Sequence, residues 1–221
     1  FWLKPFWLKV PLWFRSAALF VVLPRLPVPA KMPKAPAAPA ALVGGWEHQK
    51  RILVIDFGSQ VTHLICRRVR EAGVYCELRS CLVTLDDVKK FEPTGLILSG
   101  GPHSVYDQAS PHLDKAIWAL IEEKQMPVLG ICYGLQEICH SQGGKVEAGT
   151  KREFGHAEIK VSEDVKLEGA SSAKKARGRS ILFKGIGDAV PVWMSHGDKV
   201  TELPTGFVAI ASSSSCEMAA V

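Results

Sequence analysis

The sequence predicts an α/β fold in which helices flank a mostly parallel sheet, and two observations support this. From Arg51 onward, short apolar runs alternate with amphipathic segments, as in repeated βαβ units. Glycine-rich turns follow three of the apolar runs, at residues 57–60, 100–102 and 130–134. Because ligands collect at the carboxyl ends of parallel strands, we expect these turns to share one crevice.

The predicted elements follow one another along the chain. Arg51–Asp56 is a run of mostly branched aliphatic residues typical of a buried strand, and Ser59 can cap the helix expected at Val61–Ala72, which Gly73 closes. The next elements are a strand at Val74–Leu78, a helical turn at Asp86–Phe91, a strand at Gly95–Ser99, a helix at Leu113–Lys124, a strand at Pro127–Ile131 and a helix at Gly134–Gln142. After Gly144 we expect strands at 157–161, 190–194 and 207–211, and a solvated loop at Glu163–Arg179.

The net charge of +5 belongs to the N-terminal part of the chain. Six of the 27 Lys and Arg lie in residues 1–46, which contain no Asp or Glu, so 21 basic and 22 acidic residues remain from Glu47 onward. A nearly neutral remainder gives no support for binding to nucleic acid or to a membrane surface. We therefore predict neither as a partner.

Residues 1–46 are predicted to form a non-globular, disordered extension ahead of a domain at 47–221. They are rich in Pro, Ala and Trp, and Pro24–Ala41 cannot form a packed element because proline fixes φ and lacks a backbone donor. The favoured interpretation is a non-native extension upstream of a true start at Met32, and a targeting peptide is an alternative because the start of the chain is basic and free of acids. A membrane helix is the third reading, but the longest uncharged apolar run, Ser16–Pro24, is too short to span a bilayer.

The cysteines indicate a reducing compartment. The six cysteines are too sparse for a disulfide framework and do not have its spacing. We therefore expect free thiols and a cytoplasmic protein. An organelle is the alternative if residues 1–46 act as a targeting peptide. The seven histidines are scattered, no Cys/His cluster has the spacing of metal ligands, and we predict no metal.

The strongest chemical signal is Gly130-Ile-Cys-Tyr-Gly-Leu-Gln136, a G-x-C-x-G turn centred on Cys132. A nucleophile on a sharp strand-to-helix turn needs glycines beside it, because the backbone is strained and there is no room for a Cβ. We expect the helix N-terminus to lower the pKa of the thiol and the Tyr133 amide to face a developing oxyanion. Gly101 is the natural second amide donor. The structural alternatives are a buried cysteine and, at Gly100-Gly101, an ordinary tight turn.

Four further motifs accompany this turn. They are Ile55-Asp-Phe-Gly-Ser-Gln60, Leu98-Ser-Gly-Gly-Pro102, Arg152-Glu-Phe-Gly155 and Val192-Trp-Met-Ser-His-Gly-Asp-Lys-Val200. Together the five motifs, in order over about residues 50–218, resemble the glutamine amidotransferase domain of the GMP synthase family. The cysteine turn alone is typical of all class I glutamine amidotransferases. The motifs at Ile55–Gln60 and Val192–Val200 narrow the resemblance to the GMP synthase family. It implies a flavodoxin-like, class I amidotransferase fold.

The resemblance also implies a reaction. Cys132 would attack the side-chain amide of L-glutamine, release ammonia and form a glutamyl thioester that water hydrolyses. The predicted site consists of the nucleophile Cys132, the oxyanion amides of Gly101 and Tyr133, and the substrate-binding residues Gly100, Gln136, Ser195, His196, Gly197 and Asp198. The ammonia would pass to an ATP-pyrophosphatase synthetase domain that converts XMP to GMP in purine nucleotide biosynthesis. That domain would use ATP and Mg, whereas the glutaminase domain needs no cofactor.

Two motifs that the resemblance implies do not occur in the sequence. One is the His-Pro-Glu motif that would supply the catalytic base, and the other is the Ser-Gly-Gly-Val-Asp-Ser phosphate loop of the synthetase domain. His196 is the nearest other histidine, but the resemblance implies that the motif at Val192–Val200 uses it to bind the substrate. We therefore expect a domain truncated before its base, with little glutaminase activity, an unpaired sheet edge and poor solubility when residues 47–221 are expressed alone.

Two other functions fit the sequence less fully. The chain could be a catalytically dead amidotransferase-like module that binds glutamine or a synthetase. It could also be another class I amidotransferase, which agrees with the cysteine turn but not with the motif at Val192–Val200.

Overall fold

The computed structural model describes residues 19–22, 50–162 and 180–221. In these residues, the main sheet consists of β1 (Leu19–Val22), β2 (Arg51–Asp56), β3 (Tyr75–Ser80), β4 (Gly95–Leu98) and β5 (Val128–Ile131). The strands lie in the order β1-β5-β4-β2-β3. All neighbours pair in parallel except β1, which is antiparallel to β5. The prediction of a mostly parallel sheet is confirmed.

The helices between these strands are α1 (Thr62–Glu71), α2 (Leu85–Phe91), α3 (Lys115–Glu123) and α4 (Tyr133–Ser141). These helices, and the strands from β2 to β5, begin and end within two residues of their predicted limits. Local signals explain the agreement: Thr84 and Asp114 accept hydrogen bonds from the first turns of α2 and α3, and Gly73 has a φ of +76° after α1. No helix in the described part of the chain is long and apolar enough to cross a membrane.

The alternating directions of strand side chains divide the core into two parts. Val54 and Ile97 face one side of the sheet, where they pack with residues of α1 and β3. Leu53, Ile55 and Leu98 face the other side and join the larger cluster with α3 and α4. Successive strand residues point to opposite faces, so a strand covered on both sides is apolar throughout. This explains why β2 reads as an unbroken aliphatic run.

A second, antiparallel sheet follows α4. It consists of β6 (Lys145–Val161), β7 (Ala189–Glu202) and β8 (Ala211–Ser212), in the order β7-β6-β8. The strands expected at 157–161 and 190–194 are parts of the much longer β6 and β7. The prediction of a strand at 207–211 is wrong except for its last residue, because β8 begins only at Ala211.

Strand β1 lies within the segment that we expected to be non-globular. Its residues pair with the edge of β5, from Leu19 opposite Ile131 to Val22 opposite Val128. Phe and Val favour extended structure, which accounts for a strand in this short apolar run. The pairing of these four residues differs from the prediction of a non-globular segment at 1–46. The other residues of 1–46 and the loop at Glu163–Arg179 lie outside the described residues.

Candidate active site

Cys132 joins β5 to α4 in a backbone conformation that is rare for a residue with a side chain. Its φ is +54° and its ψ is −111°. A Cβ on Gly130 would lie 2.6 Å from the backbone of Gly134, and a Cβ on Gly134 would overlap the Leu98 carbonyl. Both glycines are therefore required because the strand and the helix approach closely. The predicted strained turn with no room for a Cβ is confirmed.

The Cys132 thiol has polar contacts on two sides. Its Sγ lies 3.5 Å from the Ser195 carbonyl oxygen, to which it can donate, and it accepts a hydrogen bond from the Tyr133 amide. Burial raises the pKa of Cys132, the Tyr133 amide lowers it, and the negative charge of Asp198 raises it, so the pKa lies above its ordinary value. The expectation of a lowered pKa is wrong, because a single amide does not offset burial and a nearby carboxylate.

The three glycine-rich turns share one crevice, as predicted. A cavity of about 470 Å³ is lined by residues of all three turns, including Cys132. A Cβ built on Gly100 would lie 3.5 Å from the Cys132 Cβ, so the second turn lies directly beside the cysteine. On Gly101 a Cβ would come within 2.6 Å of the Phe57 carbonyl oxygen, which explains the glycine there.

A second cavity, of about 450 Å³, is also lined by Cys132. The predicted residues that line it together with Cys132 are Gly101, Gln136, Ser195, His196, Gly197 and Asp198. Gly100 lines the first cavity instead. The Tyr133 side chain points away: it is buried, and its hydroxyl donates to the Pro111 carbonyl oxygen at 2.6 Å. The structure thus brings the predicted residues together and leaves only the backbone of Tyr133 at the thiol.

Asp198 is the centre of the hydrogen bonds around the second cavity. Its carboxylate accepts from the Ser104 hydroxyl at 2.5 Å and from the Tyr106 hydroxyl at 3.0 Å. Its carbonyl oxygen accepts from Gln136 Nε2 at 3.2 Å and lies 3.1 Å from His196 Nδ1. Sequence reasoning missed Ser104 and Tyr106. The signal that could have found them is their place on the loop that follows Gly101.

Asp56 fastens the first turn to the end of β2. Its Oδ1 atom accepts from the amides of Gly58 and Ser59 and from the hydroxyls of Thr62 and Ser99. Burial raises the pKa of Asp56, but the hydrogen bonds from Thr62, the two amides and Ser99 outweigh burial and hold it below the ordinary value. Neither Asp56 nor Ser99 was given a role from the sequence, although both belong to recognised motifs.

Glu137 fastens the nucleophile helix to the segment before α3. Its fully buried carboxylate accepts from the Leu113 amide at 3.0 Å and from the Ser141 hydroxyl at 3.3 Å, and it lies 2.8 Å from His112 Nδ1. His112 in turn stacks on His140, with ring centroids 5.4 Å apart. Sequence analysis gave no role to either His112 or Glu137. A buried glutamate on an amphipathic helix gives no local signal of its partner.

Of the described histidines outside the predicted site, one lines a cavity together with Cys132. His103 lines the second cavity, whereas His63, His112, His140 and His156 line neither cavity. Within the described residues, no three His, Cys, Asp or Glu side chains gather as a metal site. All six cysteines are free; Cys81 and Cys132 are partly exposed, and the other four are buried.

These features define a class of protein. The model of the class I glutamine amidotransferase family matches residues 53–221, and the chain belongs to that family. A solved structure of a putative GMP synthase subunit from Thermoplasma acidophilum is 28% identical and has a TM-score of 0.57, with 77% of this chain and 76% of that chain covered. A glutamine amidotransferase from Methylobacillus flagellatus, 18% identical with a TM-score of 0.52 over 76% of this chain and 62% of that one, shares the fold.

The curated relatives carry a more particular name, glutamine-hydrolysing GMP synthase. The Neisseria meningitidis protein is 49% identical over 175 residues, which cover 77% of this chain and 30% of the relative. The Vibrio campbellii protein is 46% identical over 174 residues, which cover 79% of this chain and 30% of the relative. The chain therefore spans about a third of the length of the curated relatives that it matches.

Proposed function

We propose that this chain is the glutaminase part of a GMP synthase, in which Cys132 hydrolyses L-glutamine and releases ammonia. One observation carries the proposal: a cysteine on a strained strand-to-helix turn shares a cavity with Gln136 and with the carboxylate of Asp198. Glutamine offers an amide for the thiol and an α-ammonium group for the carboxylate. The names of the curated relatives support the same reaction.

The proposed reaction has two stages. In the first, the Cys132 thiolate attacks the side-chain carbonyl carbon of glutamine, and the amides of Tyr133 and Gly101 stabilise the resulting oxyanion. The C–N bond then breaks, the nitrogen takes up a proton and ammonia leaves, while the glutamyl group remains on sulfur as a thioester. In the second stage, water attacks the thioester, and glutamate and the free thiol are formed.

The recipient of the ammonia is proposed to be a synthetase partner. About 70% of the length of each relative lies outside the part that this chain matches, which leaves room for an ATP-pyrophosphatase domain. ATP and Mg would act there, in the conversion of XMP to GMP, and the glutaminase domain would need no cofactor. We assign the chain to the cytoplasm because its six cysteines are free thiols.

The test is to measure ammonia and glutamate release from glutamine, with Cys132→Ala as the control. The 221 residues contain no His-Pro-Glu motif, so we expect Cys132-dependent turnover several orders of magnitude slower than that of a full-length relative. Equal turnover would contradict the expectation about the base. Glutamine binding without turnover, measured by calorimetry, would favour the catalytically dead module. If the chain showed no glutamine binding and no turnover, the proposed function would be contradicted.

A further inference from the structure

We propose that Ser104 and Tyr106 are positioning residues that hold the Asp198 carboxylate in the orientation that selects an α-ammonium group. The inference rests on the proposed function and adds a mechanism of substrate selection to it. Both residues lie on the loop between β4 and α3, whereas Asp198 lies on β7 in the second sheet. The contact therefore joins two separate parts of the fold at the substrate cavity.

The two hydroxyl groups occupy both oxygen atoms of the carboxylate. Ser104 Oγ donates to Oδ2 at 2.5 Å, and the Tyr106 hydroxyl donates to Oδ1 at 3.0 Å. A carboxylate held at both oxygens cannot rotate about its terminal bond without breaking one of the hydrogen bonds. Each carboxylate oxygen has two lone pairs, so an acceptor site remains on each for a ligand.

The charges in the cavity suit a cationic group. Among the described residues that line the second cavity, Asp198 is the only carboxylate, and none is Lys or Arg. Hydroxyl donors leave the carboxylate its full charge, whereas a lysine or arginine in the same place would neutralise it. Asp198 is thus oriented and still available to an ammonium group.

The same loop also places the second oxyanion donor. Gly101 precedes Ser104 by three residues, and the far end of the loop is fixed to α4 through Glu137 and the Tyr133 hydroxyl. A segment held at its end and at Asp198 has little freedom at Gly101. Recognition of the ammonium group and stabilisation of the oxyanion therefore depend on one continuous segment.

The experiment measures alkylation of Cys132, so it does not require turnover. The reagent is a chloroketone in which CH2Cl replaces the amide nitrogen of glutamine, and its partner is the same compound without the α-amino group. The variants are Tyr106→Phe and Ser104→Ala. Tyr75→Phe is the matched control, because Tyr75 is similarly exposed and its hydroxyl donates to the Glu77 carboxylate at 2.9 Å, outside both cavities.

We expect the half-saturating concentration of the amino-bearing reagent to rise by about three- to tenfold in Tyr106→Phe and Ser104→Ala. That of the amino-free reagent should stay unchanged in both variants, and Tyr75→Phe should match the parent chain with both reagents. Equal changes with both reagents, or no change with either, would overturn the positioning role. If the parent chain itself does not prefer the amino-bearing reagent, the proposed function fails, and the inference fails with it.

Discussion

At the scale of the residue, the most unusual feature is the positive φ of Cys132. A side chain in this conformation costs about 1–3 kcal/mol, which the surrounding packing must offset. We predict that Cys132→Gly unfolds with a free energy about 1 kcal/mol greater than Cys132→Ala, because glycine alone relieves the strain. Urea unfolding of the two variants, neither of which retains the thiol, measures the difference. A less stable glycine variant would contradict it.

A second residue-scale prediction concerns the pKa of the Cys132 thiol. The charge of Asp198 contributes to its elevation, so Asp198→Asn should lower the pKa and increase the thiolate fraction at a given pH. We expect iodoacetamide to alkylate Cys132 about two- to fivefold faster in this variant near pH 8. The control is Asp87→Asn on α2, outside both cavities. A full rate profile against pH should show the midpoint moving downward only for Asp198→Asn.

The sequence was sufficient to find Cys132, its glycines and the motif around Asp198, because strained turns and recognised motifs are local in the chain. It did not reveal Ser104, Tyr106 or Glu137. The hydroxyls of Ser104 and Tyr106 meet Asp198 more than 90 residues away, and Glu137 meets Leu113 across 24 residues. Such partners are set by the tertiary fold, and neither spacing nor composition encodes them. The predicted direction of the Cys132 pKa shift was wrong for the same reason, because burial and the charge of Asp198 are also set by the tertiary fold.

At the scale of the element, the β5–α4 turn depends on close contact between backbones. We predict that Gly134→Ala reduces the free energy of unfolding by more than about 2 kcal/mol, because the new methyl group meets the Leu98 carbonyl and nothing flexible can give way. Gly100→Ala is the matched control, since its methyl group would meet only ordinary contacts of 3.5 Å or more. Chemical unfolding of both variants tests this, and equal losses would contradict the explanation.

Apart from β1, the elements of the main sheet were easier to predict than those of the second sheet. β2, β4 and β5 are short and buried on both sides, so their composition alone marks them. β6 contains Gly149, Gly155 and many charged residues, and its pairing with β7 shifts register between Ala148 and Glu153. Glycine and charge weaken the local strand signal, and long-range pairing with β7 supplies what the local sequence lacks.

At the scale of the whole molecule, the candidate site lies between two sheets, and one edge of the main sheet is covered by β1. We predict that residues 47–221 alone associate more than residues 16–221, because only the longer chain keeps the strand that pairs with β5. Light scattering during gel filtration, at matched concentrations, measures the difference. If both chains are monomers with the same sharp thermal transition, the edge of β5 needs no cover.

The distribution of the cysteines has a practical consequence for following this protein in a mixture. Four thiols are buried in the folded chain, and only Cys81 and Cys132 are partly exposed, whereas unfolding exposes all six. The number of labels that one molecule acquires in a brief pulse of a small alkylating reagent therefore separates folded from unfolded copies by mass. We expect a glutamine-shaped reagent to mark Cys132 in preference to the other thiols in folded copies, where residues of both sheets line the cavities at Cys132.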